Sequence, residues 1–273
     1  MSTTVLLVLL GVFGLAVGSF LNVVIVRIPS HESLLRPPSK CPQCEQPIRP
    51  GDNIPVVSWV LLKGRCRNCG EPIPAGYPLV EITNSVLWVI AGAWATWSLE
   101  LSSEATVAVS LAFAVLFSVL LALSVIDLEL YILPNKITYP SVLASLIILP
   151  LLSWVVGEDV VWGLGRAVVG GLGYAGFLAI VLIAWDLIMR RPGMGVGDVK
   201  LAALLGLWVG WVSPYLVLYA LIAASLIGLV AGGVAFAIRK ENREYPYGPW
   251  MALGALVVLL AQEPILDFML GTT

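Results

Sequence analysis

Four cysteines in one short stretch are the first residues whose spacing could support chemistry. They form two C-x2-C pairs, Cys41 with Cys44 and Cys66 with Cys69, separated by 21 residues. Two such turns can each present two thiolates to a tetrahedral zinc ion, and the alternative is a pair of disulfides. A closed shell of four thiolates leaves no open position for a substrate. We therefore expect a structural zinc site that helps its polar segment to fold.

Two aspartates stand beside irregular backbone in an otherwise apolar chain. Asp198 follows the glycines of G-M-G-V-G-D-V-K, which begins at Gly193, and six residues separate Asp127 from Pro134. The glycine spacing matches neither G-x-G-x-x-G nor the G-x-x-x-x-G-K-[ST] phosphate loop. Irregular backbone at membrane depth is tolerated only inside protein or beside a water-filled cavity. A wet cavity with two carboxylates is what an aspartic protease needs.

Two carboxylates held close together would share one proton. At about 5 Å and an effective dielectric constant near 20, their charges repel by roughly 3 kcal/mol. The ionised partner could then take a proton from water while the protonated partner hydrogen-bonds the scissile carbonyl. The alternative is that each aspartate is a helix-end residue wetted by the interface. Glu129 and Asp186 are competing acids, but neither has the same glycine or proline neighbours.

Apolar helices have to position these residues, because 59% of the 273 residues are hydrophobic and only 12% are charged. Runs of about 20 apolar residues match the thickness of a bilayer. They predict an all-α polytopic membrane protein with about eight transmembrane helices, the first of them retained rather than cleaved as a signal peptide. The predicted spans are about 4–26, 80–98, 105–126, 137–156, 165–188, 198–212, 215–238 and 248–268.

The positions of the basic residues predict the orientation of the chain. With eight spans, 14 of the 15 lysines and arginines fall on one side of the membrane, and only Arg166 falls on the other. Basic residues accumulate on the cytoplasmic side. The cysteines and both aspartates should therefore face the cytoplasm, where a reducing environment also favours zinc over disulfides.

One polar insertion, at about 28–79, separates the first two spans. It is rich in proline and glycine and contains strand-like patches such as I-P-V-V-S-W-V-L-L at 54–62, and no internal repeat is evident. The sequence thus predicts three parts. These are a first transmembrane helix at 1–27, a cytoplasmic zinc-binding domain at 28–79 and a membrane domain of about seven helices at 80–273.

The order of these motifs resembles the type IV prepilin peptidases, the bifunctional leader peptidases and N-methyltransferases of pilus and type II secretion systems. The resemblance covers nearly the whole chain. The similar segments are G-S-F-L-N-V-V-I-V-R-I-P at 18–29, the cysteine-containing stretch at 41–81, D-x6-P-N at 127–135, G-M-G-V-G-D-V-K-L-A-A-L-L-G at 193–206 and Y-P-Y-G-P-W-M-A-L-G at 245–254.

The resemblance implies that Asp127 and Asp198 are catalytic aspartates and that the four cysteines are zinc ligands. It implies cleavage of prepilins or pseudopilins after the glycine that ends a basic leader, at the cytoplasmic membrane face. Methylation of the new N-terminal residue with S-adenosylmethionine would follow. It also implies a multi-pass protein of the bacterial inner membrane, with the zinc domain and active site facing the cytoplasm. No nucleic-acid partner is expected.

Three further positions carry separate expectations. Asn135 stands where many members of that family carry aspartate, and we expect it to cap a helix. Glu81 is a candidate for the methyl-transfer site, and the alternative is that it simply begins the second span. The glycines before Asp198 are expected to let an extended substrate backbone approach that carboxylate.

Other functions would explain part of the sequence. A proton-coupled transporter could use two carboxylates, but transporters often show inverted repeats and acids at the midplane, and neither feature is evident. A non-enzymatic scaffold built around a zinc module explains the cysteines but not the G-x-G-D segment. A peptidase without methyltransferase activity is also compatible with the sequence.

Overall fold

Helices form the secondary structure of this computed structural model, which describes residues 2–99, 101–190, 195–239 and 245–271. The described residues contain no β-strand beyond two isolated bridges, so the prediction of an all-α membrane protein is confirmed. A 3₁₀ turn covers Pro50–Asp52. The α-helices are α1 Thr3–Arg27, α2 Val57–Leu61, α3 Gly76–Trp97, α4 Ser103–Leu130, α5 Asn135–Val156, α6 Val160–Met189, α7 Val196–Val212, α8 Leu216–Arg239, α9 Gly248–Leu260 and α10 Gln262–Leu270.

Each predicted span corresponds to helical structure, but not every helix is long enough to cross a bilayer. Six helices, α1, α3, α4, α5, α6 and α8, are long and apolar enough by themselves. The last predicted span is the pair α9 and α10, which bends by 70° at a short break. α7 has 17 residues, which falls short of the roughly 20 that span a hydrocarbon core. Among the described residues, length and composition thus support six or seven spans.

Two compact units, Met1–Ala122 and Leu123–Thr273, make up the chain. In the first unit, α1 packs tightly against α3, since a Cβ atom on Gly14 would lie 2.8 Å from the Cα atom of Ser85. A buried polar network adds to this contact. The Asn84 side chain donates to the Gly14 carbonyl, and its oxygen accepts a hydrogen bond from Ser118 of α4. Interhelical hydrogen bonds of this kind hold membrane helices in register.

Helix α7 is the centre of the second unit. Almost every side chain from Leu201 to Trp211 is buried, because α5, α6, α8 and α9 all contact this helix. Its closest neighbour is α6, where a Cβ atom on Gly170 would lie 2.6 Å from the Cα atom of Gly210. Small residues allow helix backbones to approach in this way. The helix that carries Asp198 is therefore surrounded by protein from Leu201 to Trp211, and its first turn is partly exposed.

The insertion does not contain the strand expected at 54–62. The Pro55 carbonyl accepts a hydrogen bond from the Val57 N–H, which closes a γ-turn around Val56 at φ 61°. Helix α2 follows directly. Its Trp59 donates from the indole N–H to the Ile73 carbonyl at 3.1 Å. The expectation of a strand was wrong. The γ-turn and helix α2 provide local partners for backbone groups of this segment, and the Trp59 contact holds it against Ile73, so no partner strand is needed.

Candidate functional site

Asp127 is buried close to the cytoplasmic end predicted for α4. Its side chain is only 5% exposed, and its Oδ2 atom accepts a hydrogen bond from the backbone N–H of Gly248 at 3.1 Å. Gly248 is the first residue of α9. The N-terminus of a helix carries a partial positive charge and stabilises a carboxylate placed against it. The fold therefore supplies a partner for a charge that burial would otherwise disfavour.

Asp198 lies in the first turn of α7, whose N-cap is Gly195. It is half-buried and close enough to Asp127 for the two charges to interact. The helices that carry the two residues meet at Gly248. A Cβ atom on Gly248 would lie 2.8 Å from Asp127 Oδ2 and 3.4 Å from Leu201 Cδ2. The fold thus brings together two carboxylates that are 71 positions apart in the sequence.

The backbone around the two aspartates also packs together. A Cβ atom on Gly197 would lie 3.1 Å from the Cβ atom of Leu133, so this glycine makes room for the turn between α4 and α5. Whether the glycines also admit a substrate backbone stays a prediction. Gly193, the first glycine of the motif, lies outside the described residues.

Lys200 connects the two aspartate motifs through contacts with Asn135 and Tyr139 at the start of α5. Its Nζ atom donates a hydrogen bond to the Asn135 side-chain oxygen at 2.8 Å and lies 4.9 Å from the centre of the Tyr139 ring. The capping role expected for Asn135 is wrong. Pro134 is the N-cap of α5 and no side chain caps this helix, because the Asn135 amide is turned toward Lys200.

The competing acids differ from the pair in their surroundings. Glu129 and Asp186 are both exposed, as expected for charged residues near the ends of membrane helices. Asp127 and Asp198 are the acids that the fold withdraws from solvent together. Asp127 is buried and Asp198 is half-buried, and this shared withdrawal from water favours a proton held between the two carboxylates.

Two tyrosines near Asp198 were not anticipated from the sequence. Tyr174 in α6 and Tyr247 before α9 lie close enough to Asp198 for their hydroxyl groups to interact electrostatically with its carboxylate. Tyr174 is only 1% exposed, and within the part of the chain described here its hydroxyl has no hydrogen-bond partner. The Tyr247 hydroxyl lies 3.3 Å from Ser225 Oγ. A buried hydroxyl without a protein partner generally hydrogen-bonds water or a ligand.

The four cysteine sulfurs of the insertion form a single cluster. All four lie within 4.8 Å of one another, none is in a disulfide, and the sulfurs of Cys41 and Cys69 are 3.8 Å apart. A tetrahedral zinc ion with Zn–S bonds of about 2.3 Å separates its sulfur ligands by about 3.8 Å. The donor set and its dimensions fit zinc.

Two equivalent turns build this cluster. The segments K-C-P-Q-C-E-Q-P-I at 40–48 and R-C-R-N-C-G-E-P-I at 65–73 align residue by residue, which corrects the expectation of no internal repeat. In each turn the first cysteine exchanges backbone hydrogen bonds with its own turn, and the residue after the second cysteine has positive φ, 58° at Glu45 and 74° at Gly70. The repeat is short and was hidden by its variable positions.

The second turn favours the thiolate form of its first cysteine. The backbone N–H groups of Cys69 and Asn68 point at the Cys66 sulfur and lower the pKa of that thiol to about 7. Arg67 in the same turn forms a bidentate ion pair with Asp52, and this partner lowers the pKa of the Asp52 carboxyl. Such outer contacts orient a metal ligand set.

Glu81 lies in α3 of the first unit. Its carboxylate is buried, and its Oε2 atom accepts a hydrogen bond from the Val56 N–H at 2.7 Å. The residue therefore does more than begin the second span, since it holds the γ-turn of the insertion. A place for Glu81 in the methyl-transfer site stays a prediction.

Comparison with known proteins identifies the family. The Bacterial Peptidase A24 N-terminal domain matches residues 12–95, and the Type IV leader peptidase family matches residues 114–233. The chain is 34% identical to a prepilin leader peptidase/N-methyltransferase of Aeromonas salmonicida (strain A449), over 95% of this chain and 92% of that protein. A protein of the same name from Pectobacterium carotovorum subsp. carotovorum is 36% identical, over 90% of each chain. The chain belongs to the prepilin leader peptidase/N-methyltransferase family.

As a member of the prepilin peptidase family, the protein is an enzyme with multiple membrane helices. The N-terminal family match contains the four cysteines and Glu81, and the leader peptidase match contains both aspartates. No solved structure matches the chain. The residue roles and the domain boundaries at 28–79 and 80–273 stay predictions.

Proposed function

We propose that this prepilin peptidase is an intramembrane-type aspartic endopeptidase with Asp127 and Asp198 as its catalytic pair. It cleaves prepilins or pseudopilins after the glycine that ends their basic leader, at the cytoplasmic face of the bacterial inner membrane. One observation carries the proposal. Two acidic residues from distant motifs are both withdrawn from solvent and close enough for their charges to interact.

The two aspartates take different roles in this mechanism. Asp127 accepts the N–H at the start of α9, which favours its ionised form, so Asp127 removes a proton from the attacking water. Asp198 carries the shared proton and gives it to the oxygen of the scissile carbonyl. The water oxygen bonds to the carbonyl carbon to form a gem-diol. Asp127 then gives its proton to the leaving nitrogen while Asp198 takes a proton back from one gem-diol hydroxyl. The C–N bond breaks, a carboxylic acid and an amine are released, and the pair returns to its starting protonation state.

The cysteine cluster has a structural role in the proposal. Cys41, Cys44, Cys66 and Cys69 would hold one zinc ion, which stabilises the fold of the insertion when bound. Four thiolates fill a tetrahedral zinc shell, so this ion is not a partner in hydrolysis. The insertion would extend toward the cytoplasm beside the membrane surface.

Methylation of the new N-terminus with S-adenosylmethionine is proposed from the names of the relatives. One oxygen of Glu81, the residue suggested for this reaction, already accepts the Val56 N–H. No other described residue is assigned to the cofactor. Amine methylation depends mainly on alignment of the reactants, so it should be separable from hydrolysis by the aspartates.

Cleavage of a synthetic leader peptide distinguishes this function from a transporter. Detergent-solubilised protein should cut a prepilin peptide once, between glycine and phenylalanine, without an ion gradient. Mass spectrometry of the products would identify the bond. A pure and folded preparation that leaves the peptide intact would favour the transporter reading, in which the two carboxylates relay protons.

A labelling experiment tests the second activity. The Asp198→Asn protein, given an already trimmed pilin peptide and labelled S-adenosylmethionine, should transfer label to the peptide N-terminus. A wild-type protein that cleaves the leader but transfers no label would be a peptidase only.

A further inference from the structure

The segment from Ile54 to Leu61 presents apolar side chains outward, although it belongs to the polar insertion. Val60 is 60% exposed and Leu61 is 75% exposed, and Ile54 and Val57 are also exposed. The polar side chain of the same short segment, Ser58, is buried. This arrangement is the reverse of the one expected for a surface in water, and exposed apolar patches usually mark a binding or membrane surface.

The packing of α1 on α3 gives the depth of this segment. A Cβ atom on Gly18 would lie 2.7 Å from the Cα atom of Glu81, so Glu81 is level with Gly18. Gly18 lies nine residues before the end of α1 at Arg27, which is about 13 Å along the helix axis. Since Glu81 binds the Val56 N–H, the segment is held beside the membrane-spanning part of both helices.

A groove next to α1 supports the same depth. It has a volume of about 290 Å³ and opens between the insertion and the outer face of the helix. Its lining residues are Ala16, Ser19, Phe20, Val23, Asn53 and Pro55. Ala16 and Phe20 are themselves exposed, so the apolar face of the insertion continues the lipid-facing surface of a spanning helix.

The backbone of the segment is adapted to an apolar environment. Non-helical backbone at membrane depth requires partners for its N–H and carbonyl groups. The Val56 N–H is bound by the Glu81 carboxylate, and the Ile54 N–H is bound by Ser58 Oγ at 3.0 Å. The Ser58 hydroxyl in turn donates to the Gly51 carbonyl. Val56 adopts a strained positive φ, which persists only where surrounding contacts enforce it.

We propose that residues 54–61 dip into the bilayer as a re-entrant segment, with Val57, Val60 and Leu61 in contact with lipid acyl chains. Glu81 holds the segment at this depth. Lys63 and Arg65 follow the segment. Their side chains would bind anionic lipid headgroups where the chain leaves the bilayer. The insertion is therefore not wholly cytoplasmic. This inference is independent of the proposed catalytic roles, because it rests on residues of the first unit alone.

Photocrosslinking to lipid tests the proposal. A benzophenone amino acid replaces Val60 or Leu61 in the full-length protein, which is reconstituted without substrate in vesicles of phosphatidylethanolamine and phosphatidylglycerol. Leu35 is the matched control, because it is an apolar residue of the same insertion that is 86% exposed and lies outside the segment. Mass spectrometry should detect phospholipid adducts at positions 60 and 61 and at least fivefold fewer at position 35.

Two results would overturn the proposal. Equal lipid labelling at positions 35 and 60 would mean that residues 54–61 lie no deeper in the bilayer than the rest of the insertion. The absence of lipid adducts at positions 60 and 61 would mean that lipid does not cover this surface. A crosslink to an added prepilin in their place would mean that the substrate covers it.

Glu81 variants test how the segment is held. Glu81→Gln keeps a hydrogen-bond acceptor for the Val56 N–H and should retain the lipid adduct at position 60. Glu81→Ala leaves that N–H without its partner, and the adduct should fall by about half or more. If both variants label lipid like the parent protein, Glu81 does not hold the segment at depth. If Glu81→Ala does not fold, amide hydrogen exchange at Val56 is measured in Glu81→Gln instead. Exchange at Val56 as fast as at Leu35 would mean that residue 81 does not hold the Val56 N–H.

Discussion

At the scale of single residues, Lys200 connects the two aspartate motifs without belonging to the catalytic pair. It bonds Asn135 at the start of α5 and lies over the Tyr139 ring, so it fixes the turn of α7 that carries Asp198. Lys200→Met should lower kcat for leader cleavage about tenfold, which corresponds to about 1.4 kcal/mol in the barrier, while KM stays within twofold. Steady-state cleavage of a leader peptide measures both constants.

The control for this prediction is Lys136→Met, which removes an exposed positive charge next to Asn135 and should leave kcat unchanged. Asn135→Asp should keep full activity, because a carboxylate at this position can also accept the hydrogen bond from Lys200. If Lys136→Met lowers kcat as much as Lys200→Met, the effect comes from charge and not from positioning.

Gly248 is the second position where a small change should have a large effect. An alanine Cβ there would lie 2.8 Å from Asp127 Oδ2, so the carboxylate must move away from the N–H that binds it. Gly248→Ala should reduce the rate of leader cleavage at least a hundredfold, while the yield of folded protein stays close to that of the wild type. Gly173→Ala is the control, since no atom lies within 4 Å of that Cβ. Near-normal cleavage by Gly248→Ala would argue against this position for Asp127.

The residues that sequence reasoning found and missed differ in how their signals are encoded. Cysteine spacing and the glycines before Asp198 are local patterns, so they could be recognised along the chain. The Gly248 N–H reaches Asp127 across 121 positions, and no local pattern records that contact. Tyr174 was missed for the same reason, because only the packing of α6 against α7 brings it to the site. Lys200 lies two residues after Asp198, but its hydrogen bond to Asn135 depends on the contact between α5 and α7.

At the scale of helices, the contact between α6 and α7 fixes the position of Asp198. A Cβ atom on Gly206 would lie 2.8 Å from the Cα atom of Gly171, so no larger residue fits between the backbones. Gly206→Leu should lower the free energy of unfolding by about 3 kcal/mol or prevent folding, as overpacking does. Thermal unfolding in detergent measures this change. Gly173→Leu should have little effect, since no atom lies within 4 Å of a Cβ at this position. An equal loss of unfolding free energy in both variants would contradict the role of the contact between α6 and α7.

Helices were easier to predict than their surroundings. Apolar runs located all of the long helices, because a spanning helix must be continuously apolar. The same runs could not reveal that α7 is surrounded by protein, since a buried helix and a lipid-facing helix have similar compositions. The β-branched residues at 54–62 predict a strand, and no local pattern records the γ-turn at Val56, because Glu81, which binds the Val56 N–H, lies 25 positions away.

At the scale of the whole molecule, metal content tests the cysteine cluster. One zinc ion per chain should co-purify, and Cys41→Ser should lose it, because three thiolates hold the ion less tightly than four. Elemental analysis and thermal unfolding would measure both effects. Asp198→Asn is the control and should keep its zinc. A preparation without zinc and with all four cysteines paired as disulfides would contradict the site and the predicted cytoplasmic orientation.

Cleavage by the two aspartate variants tests the central claim most directly. Asp127→Asn and Asp198→Asn each preserve the shape of the side chain and remove its ionisation, so each should reduce leader cleavage at least a thousandfold while the protein stays folded in the membrane. Glu129→Gln, which changes an exposed acid two residues from Asp127, should cleave at nearly the wild-type rate. If either asparagine variant retained a substantial fraction of wild-type peptidase activity, Asp127 and Asp198 would not be the catalytic pair.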